Sequence, residues 1–481
     1  MIKTFLFDQL TPVALYGEIK KVYKTEVTML FESVVTSEDG NFSFITIGAK
    51  ERLTFKDNKT TYYDLEGKEH ILDKNPFEFL KEYYSKIDEQ KYKELAQIAG
   101  FNFVDGFIGF ISYDMVKVFE PTLKKFMDSL KDTINTPDLD LVRPKVIIGF
   151  SHKSSELSIV DLENSNKEMV KEVIKIISKA HTPEPLKPAK LDKDGSFAIS
   201  KERFMEIVKE AKEHIKAGDI FQLLISNRYI QKGHIDPLSF YRVLRSKNPS
   251  PYLFLLDFKD FSICGSSPEV MVKLTNNQIL LRPIAGTRKR GKTPQRDYEL
   301  EMELRGDPKE CAEHLMLVDL GRNDVGRVAK VGTVKVPDMM RVERFSHVMH
   351  LVSDVVAEIE DNKDMFDLFA ATFTAGTMTG APKVKAMELI AKFEQLKRGF
   401  YSGSVGYFSF TKDMDSAIAI RTALIKKDEI ILQAGAGIVA DSKPELEELE
   451  VRNKLMALLS TIKQMQELKE ENNLILLKEI D

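Results

Sequence analysis

Short runs in which apolar and polar residues alternate, among them FSFITIG and PKVIIGF, recur through residues 1–180 and are interrupted by turn-rich pieces such as SEDGN and KDNK. Alternation with a period of two puts one face of each run against a core, so this region is predicted to be mostly strand. One helix is expected within it, starting at Asn75-Pro76, because Phe77, Phe79, Leu80, Tyr83 and Tyr84 return at helical spacing. Residues 181–195, HTPEPLKPAKLDKDG, are rich in proline and lysine and poor in apolar side chains, which predicts a linker or a surface crossing.

From residue 196 onward the elements have clearer ends. Ser200 is placed to cap a helix with the apolar stripe Phe204, Ile207, Val208, Ala211 and Ile215, and Gly218 to end it ahead of the strand-like IFQLLISNRYI. Asp236-Pro237 opens another helix, after which YLFLLDF, FSICG, EVMVKLT and QILLRPI read as strands. Asp307-Pro308 supplies a cap and an N1 proline for a helix with Glu310 at its third position. Ser442-Lys443-Pro444-Glu445 reads as a capping box for a helix on which Glu447, Glu450 and Lys454 share one side, while Leu446, Leu449 and Leu455 help cover others. Residues 466–481 are expected to form a peripheral helical tail. Strands and helices are mixed without a βαβ rhythm, which predicts an α+β fold of large, mainly antiparallel sheets with helices outside. The expected organisation is an N-terminal region 1–180, a crossing 181–195, a catalytic region 196–465 and the tail.

Composition narrows the class of protein more than its function. Charged residues make up 30% and hydrophobic residues 43% of the 481, with a net charge of -4 and no basic arm, so nucleic acid is not an expected partner. Cys264 and Cys311 are the only cysteines, which excludes a disulfide framework, a CxxC redox pair and a thiolate zinc site. The N-terminal apolar run ends at Asp8, too short for a signal peptide, and no window of about twenty apolar residues occurs. A soluble protein of the reducing cytoplasm, without membrane contact, is expected.

Chemistry concentrates in two acidic stretches. KECAEHLM carries Glu310, Glu313 and His314, and PELEELEVRNK carries Glu447, Glu450 and Lys454. Each sets carboxylates one helical turn apart, half of an oxygen-ligand site for a hard divalent cation, although a solvated charged face is the commoner meaning of such a pattern. The second stretch follows GAGIVADS, a glycine-rich turn whose backbone N–H groups can approach an anion. RPIAGTRKRG reads as a turn at a strand end followed by a basic cluster, and TAGTMTGAPKVKAMELI as a stretch of small residues leading into a helix.

Taken together, GSSPE (265–269), RPIAGTR (282–288), AEHLMLVDLGRND (312–324), FSHVMHLVS (345–353), TAGTMTGAPKVKAMELI (374–390), RGFYSGSVGYF (398–408), DSAIAIRTALI (415–425) and QAGAGIVADSKPE (433–445) resemble the chorismate-utilising enzymes, from about residue 200 to 460. The resemblance implies that family's sandwich of antiparallel sheets and a Mg2+ ion tying a chorismate carboxylate to the protein. It implies Glu313 and Glu450 as direct metal ligands, with Glu310 and Glu447 flanking them. Tyr401, Arg421, Lys454, Gly435, Ala436, Gly437, Gly286 and Thr287 match substrate-binding positions. Glu269 matches the general acid that protonates the departing C4 hydroxyl, a role that needs a raised pKa. His350 matches a histidine beside the reacting ring, and Gln222 and Thr377 complete the catalytic positions.

Two positions separate the branches of the family. Where the water-using members carry a lysine, this chain has Gln222, which is no base at neutral pH. Where many aminodeoxychorismate synthases carry a nucleophilic lysine, it has Ala285. Ammonia attack followed by pyruvate loss remains, so the chain resembles component I of the anthranilate synthases. The alternatives are aminodeoxychorismate synthase component I and a non-catalytic tryptophan-binding relative. Leu30-Phe31-Glu32-Ser33 and Asn248-Pro249-Ser250-Pro251-Tyr252 resemble the two elements of the tryptophan feedback site. Neither cysteine lies in a nucleophile elbow, so ammonia is expected from a separate glutamine amidotransferase subunit or from free ammonium.

Overall fold

A computed structural model describes residues 1–33, 42–179, 184–192, 194–345 and 348–468. The turn expected at SEDGN, part of the 181–195 crossing, Ser346 and His347 of FSHVMHLVS, and residues 469–481 of the expected tail lie outside the described residues. Among the described residues, 21 strands join into one hydrogen-bonded sheet whose pairings are antiparallel, and three more form a small sheet. The fold is α+β, and long strands such as Leu139–Ser151 and Glu429–Ile438 are buried on both faces over most of their length.

Two seams tie the N-terminal region to the rest. Strand Thr28–Glu32 pairs on one side with Phe42–Lys56 and on the other with Tyr252–Asp257, setting Glu32 opposite Leu253. Gly106–Ile111 pairs with Ser404–Ser409. From Tyr252–Asp257 the sheet continues through Phe261–Ser267, Thr422–Lys426 and Glu429–Ile438 to Gln222–His234. Lys190–Leu191, inside the expected crossing, adds to the edge of that last strand at Gly233 and His234.

Caps behave as their sequences dictate in most places. Ser200 accepts from Arg203 N ahead of helix Lys201–Lys216, Asp236 caps Pro237–Lys247, and Asp307 accepts from Lys309 N and Glu310 N at the start of Pro308–Gly326. The capping box at Ser442 does not form. Lys443 is the N-cap of helix Pro444–Glu467, and the Ser442 hydroxyl instead accepts from Val439 N, closing the turn that delivers the strand to the helix. On that helix Leu455 is buried, but Leu446 and Leu449 are 57% and 49% exposed, because Glu448 and Val451 take the inward face.

The N-terminal region holds more helix than its alternation predicts. Besides Pro76–Tyr84, it contains Pro12–Val22, Glu89–Ala99 and Lys167–Ile177. Each had a local signal: Thr11-Pro12 as cap and N1 proline, Asp88 and a left-handed Gly100 at the two ends, and Val170, Val173 and Ile176 on one buried face.

Candidate active site

Strand Glu429–Ile438 and the helix after it, Pro444–Glu467, form one wall. Gly435 lies opposite Ser226, Ala436 opposite Ile225 and Gly437 opposite Leu224. The glycines are needed for closeness rather than for unusual dihedrals. A Cβ on Gly435 would stand 2.8 Å from Ile225 O and 3.0 Å from the Tyr401 hydroxyl, and one on Gly437 would stand 2.7 Å from Gln222 Nε2. Lys454 reaches back from the helix to donate to Gly435 O at 2.9 Å, and its ammonium lies 2.7 Å from Glu450 Oε1. Arg421, in the left-handed region at φ 51°, donates to Lys454 O at 2.6 Å, while its own carbonyl accepts from Ser266 N at 3.1 Å. A non-glycine residue in that region is unusual and is held here by contacts on both sides.

The opposite wall is the helix Pro308–Gly326. Gln222 Nε2 donates to Glu313 Oε1 across 3.3 Å, linking the two walls. Glu310 accepts from Arg288 Nη1 at 3.1 Å, and Arg288 also bonds Asp307 at 2.6 Å. RPIAGTRKRG is therefore not a solvated turn. Ile284–Lys289 is a strand whose arginine clamps the start of the acidic helix. Gly286, at φ +65°, would place a Cβ 3.1 Å from Glu310 Oε2. His314 points the other way. It is fully buried with Nε2 2.7 Å from Ser353 Oγ, and burial lowers its pKa to about 4, so it takes no part in an acidic cluster.

Glu269 is buried in the short link between the strands Phe261–Ser267 and Val270–Thr275, and accepts from Thr377 Oγ1 at 2.8 Å. Burial raises its pKa to about 7, against the opposing pull of the Thr377 hydrogen bond and the Lys454 charge. Glu269 and Thr377 also line a narrow cleft with Arg282, Leu317, Leu320 and Asp324. His350 sits opposite Thr287 across the small sheet. Its Nδ1 is 2.9 Å from Gly286 O and 3.1 Å from Thr287 Oγ1. A carbonyl only accepts, so Nδ1 carries the proton; burial, chiefly, lowers the ring's pKa and keeps it neutral with Nε2 as an acceptor.

Charge couples these groups into one site. Burial raises the pKa of Glu313, with Glu310 and Glu450 adding to the shift and Lys309 and Lys454 opposing it. Burial likewise raises that of Glu447, which also feels Glu450, Lys309 and Lys454. The Glu32 and Asn248 segments form a separate group. Glu32 accepts from Tyr241 at 2.7 Å and Arg245 Nε at 2.9 Å, Asn248 Nδ2 donates to Ser266 Oγ at 3.1 Å, and Ser250 Oγ lies 2.9 Å from that same hydroxyl. Leu30 is buried in the core, Ser33, Pro251 and Tyr252 are half-buried, Pro249 is exposed, and the Tyr252 hydroxyl donates to Asp415 at 2.9 Å.

A family model described as chorismate binding enzyme matches residues 30–460. The chain belongs to the chorismate-binding enzymes. It is 41% identical to the anthranilate synthase component 1 of Aquifex aeolicus, covering 97% of this chain and 95% of that one, and 39% identical to that of Neisseria meningitidis serogroup B with the same coverage. Among solved structures, anthranilate synthase component I from Streptococcus pneumoniae superposes with a TM-score of 0.75 at 33% identity, covering 89% of this chain and 94% of that one. The menaquinone-specific isochorismate synthase of Escherichia coli shares the fold at 17% identity, with a TM-score of 0.71 over 96% and 94% of the two chains.

As a chorismate-binding enzyme, the chain brings four glutamates from two helices to one site. Among the described residues no group of three or more His, Cys, Asp or Glu side chains is placed to hold a metal ion. The donors are hard carboxylate oxygens whose mutual repulsion is only partly offset by Lys454 and Lys309, a set that fits a magnesium ion taking one or two protein carboxylates and filling its shell with other oxygens. Sequence reasoning missed Lys309 and Arg288 as members of this charge balance. Lys309, one turn before Glu313, was the available signal. No helix among the described residues is long and apolar enough to cross a membrane.

Proposed function

We propose that this chain is the large, ammonia-using subunit of an anthranilate synthase, converting chorismate and ammonia to anthranilate and pyruvate in the first committed step of tryptophan biosynthesis in the cytoplasm. The observation that carries this reading is Gln222: the side chain beside Glu313 is an amide, which cannot activate water. Ala285, paired with Leu351 next to Gly286, offers no nucleophile either. Ammonia then adds at C2 of the ring, and the C4 hydroxyl leaves as water with a proton from Glu269, giving an aminodeoxyisochorismate. A carboxyl with a pKa of about 7 is protonated in a large fraction of molecules at neutral pH, as an acid must be. Loss of the C2 proton and cleavage of the enolpyruvyl C3–O bond release pyruvate and leave the aromatic ring, with neutral His350 Nε2 available as the proton acceptor.

Arg421, Tyr401, Lys454 and the backbone from Gly435 to Gly437 hold the substrate's carboxylates, and Gly286 and Thr287 hold His350. Glu313 and Glu450, flanked by Glu310 and Glu447, would hold Mg2+, which supplies positive charge to a dianionic substrate among four glutamates. A glutamine amidotransferase subunit supplies the ammonia, and tryptophan bound between the Leu30–Ser33 and Asn248–Tyr252 segments inhibits turnover. Incubating the purified chain with chorismate, ammonium and Mg2+ is expected to give anthranilate fluorescence with an equal amount of pyruvate. Aminodeoxychorismate accumulating as the sole product would refute the assignment.

A further inference from the structure

Behind the candidate site lies an ion pair that meets the substrate-facing positions through the ring of Tyr401. Arg398 and Glu394 have side chains only 1% and 4% exposed and meet twice, Nη2 to Oε1 at 2.6 Å and Nε to Oε2 at 2.9 Å. The pair is also bonded to two backbone segments, the Thr377 turn and the strand Gln222–His234. Arg398 Nη1 donates to Met378 O at 2.8 Å, one residue after Thr377, and Nη2 donates to Leu224 O at 2.9 Å. Glu394 Oε1 accepts from Ser226 N at 2.8 Å and from Ser226 Oγ at 2.9 Å. Nη1 also lies 3.4 Å from Ser402 Oγ, and the guanidinium carbon stands 5.8 Å from the Tyr401 ring centre and 4.7 Å from that of Tyr113. Leu224 and Ser226 are the residues directly opposite Gly437 and Gly435.

We propose that Arg398, oriented by Glu394, is a positioning residue for this site, locking the Thr377 turn that holds Glu269, the loop that carries Tyr401 and the strand that backs Gly435 and Gly437 into one rigid frame. The proposal rests on the assignment of Glu269 and Tyr401 given above. A buried ion pair is poor evidence of stabilisation, since well-packed apolar side chains often do as well. What apolar side chains lack is a planar fork of donors able to reach peptide carbonyls in two different segments and a carboxylate at once. Catalytic geometry is sensitive to such support, because small displacements of the acting group cost rate steeply.

Arg398→Lys keeps the charge but not the fork. We expect kcat to fall roughly 10- to 100-fold and the high-pH limb of the rate profile to move upward as Thr377 releases Glu269. Hydrogen exchange of the unliganded protein should quicken at Met378–Gly380 and Ser402–Gly403 while the strand Phe42–Lys56 keeps its protection. Glu394→Gln, which leaves the guanidinium and the packing in place, should change exchange and kcat in the same direction by less, and serves if the lysine variant does not fold. Exchange that rises evenly over the chain, or kcat within about threefold of wild type with an unmoved limb, overturns the proposal. Exchange needs no substrate, so it reads the frame independently of whether wild-type protein turns chorismate over, which tests the functional assignment itself.

Discussion

Thr377→Val removes a hydroxyl and keeps the side chain's shape, so its effect isolates one hydrogen bond. That bond, 2.8 Å from Oγ1 to Glu269 Oε1, favours the ionised carboxyl and works against the burial that raises its pKa to about 7. A hydrogen bond to a charged group contributes about 1.5–3 kcal/mol, which at about 1.4 kcal/mol per pH unit is a rise of roughly one to two units. The Lys454 charge, pulling the same way as Thr377, stays in place, as do Arg282 and Asp324 across the cleft. The acid must be protonated to act, so activity is lost as pH climbs through its pKa. The high-pH limb of kcat/KM for chorismate should therefore fall near 7 in wild type and one to two units higher, roughly pH 8 to 9, in the variant. The assay follows anthranilate fluorescence from about pH 5.5 to 9.5 with free ammonia held constant at every pH, since protonation of the nucleophile would otherwise shape the same limb. A limb that stays in place, or moves down, refutes either Glu269 as the acid or Thr377 as its partner.

The same buried carboxyl has a stability consequence. Its folded pKa of about 7 lies above the ordinary 4.5, so folding binds the proton, and that stabilisation is complete below 4.5 and gone above about 7. Glu269→Gln should accordingly be more stable than wild type by about 3 kcal/mol at pH 8, with the gap closing toward pH 4.5, as denaturant unfolding at the two pH values will show. Gly437→Ala puts a methyl 2.7 Å from Gln222 Nε2, the mobile end of a side chain. The fold should survive while KM for chorismate rises at least about tenfold, and an unchanged KM would take this strand out of the substrate site. Glu313→Gln should abolish Mg2+-dependent turnover while leaving tryptophan binding intact in a calorimetric titration; unaltered activity would remove the metal assignment. Asn248→Ala, which loses the bonds to Ser266, should weaken tryptophan inhibition roughly tenfold with turnover unchanged, and full sensitivity would place the inhibitor elsewhere.

Local rules made part of this molecule legible in one dimension. Ser200, Asp236 and Asp307 cap the helices their sequences announce, since a cap is a bond across two or three residues and needs no partner from elsewhere. Glu447, Glu450 and Lys454 share a helix face for the same reason, and the α+β class followed from alternation and the absence of a βαβ rhythm. Glu269, Arg421 and Lys454 could be singled out only through resemblance, because nothing local distinguishes a candidate site side chain from a solvated one. Tertiary structure decided the rest. Ser442 had the sequence of a capping box, but its hydroxyl went to Val439 N, a competing partner supplied by the turn. His314 looked like a neighbour of Glu313 and lies buried against Ser353, because adjacent helical residues point about 100° apart. Arg398 was one unremarked letter in RGFYSGS until folding set it against Met378, Leu224 and Glu394. The amino-acid sequence by itself determined the α+β class, several helix starts and the family, which rest on interactions between near neighbours and on motifs kept in order. Which carboxylates face one another, which histidine lies against Ser353 and which arginine reaches Met378 and Leu224 were decided only by strands and helices far apart in the chain coming together, and contacts of that kind leave no periodic trace in sequence.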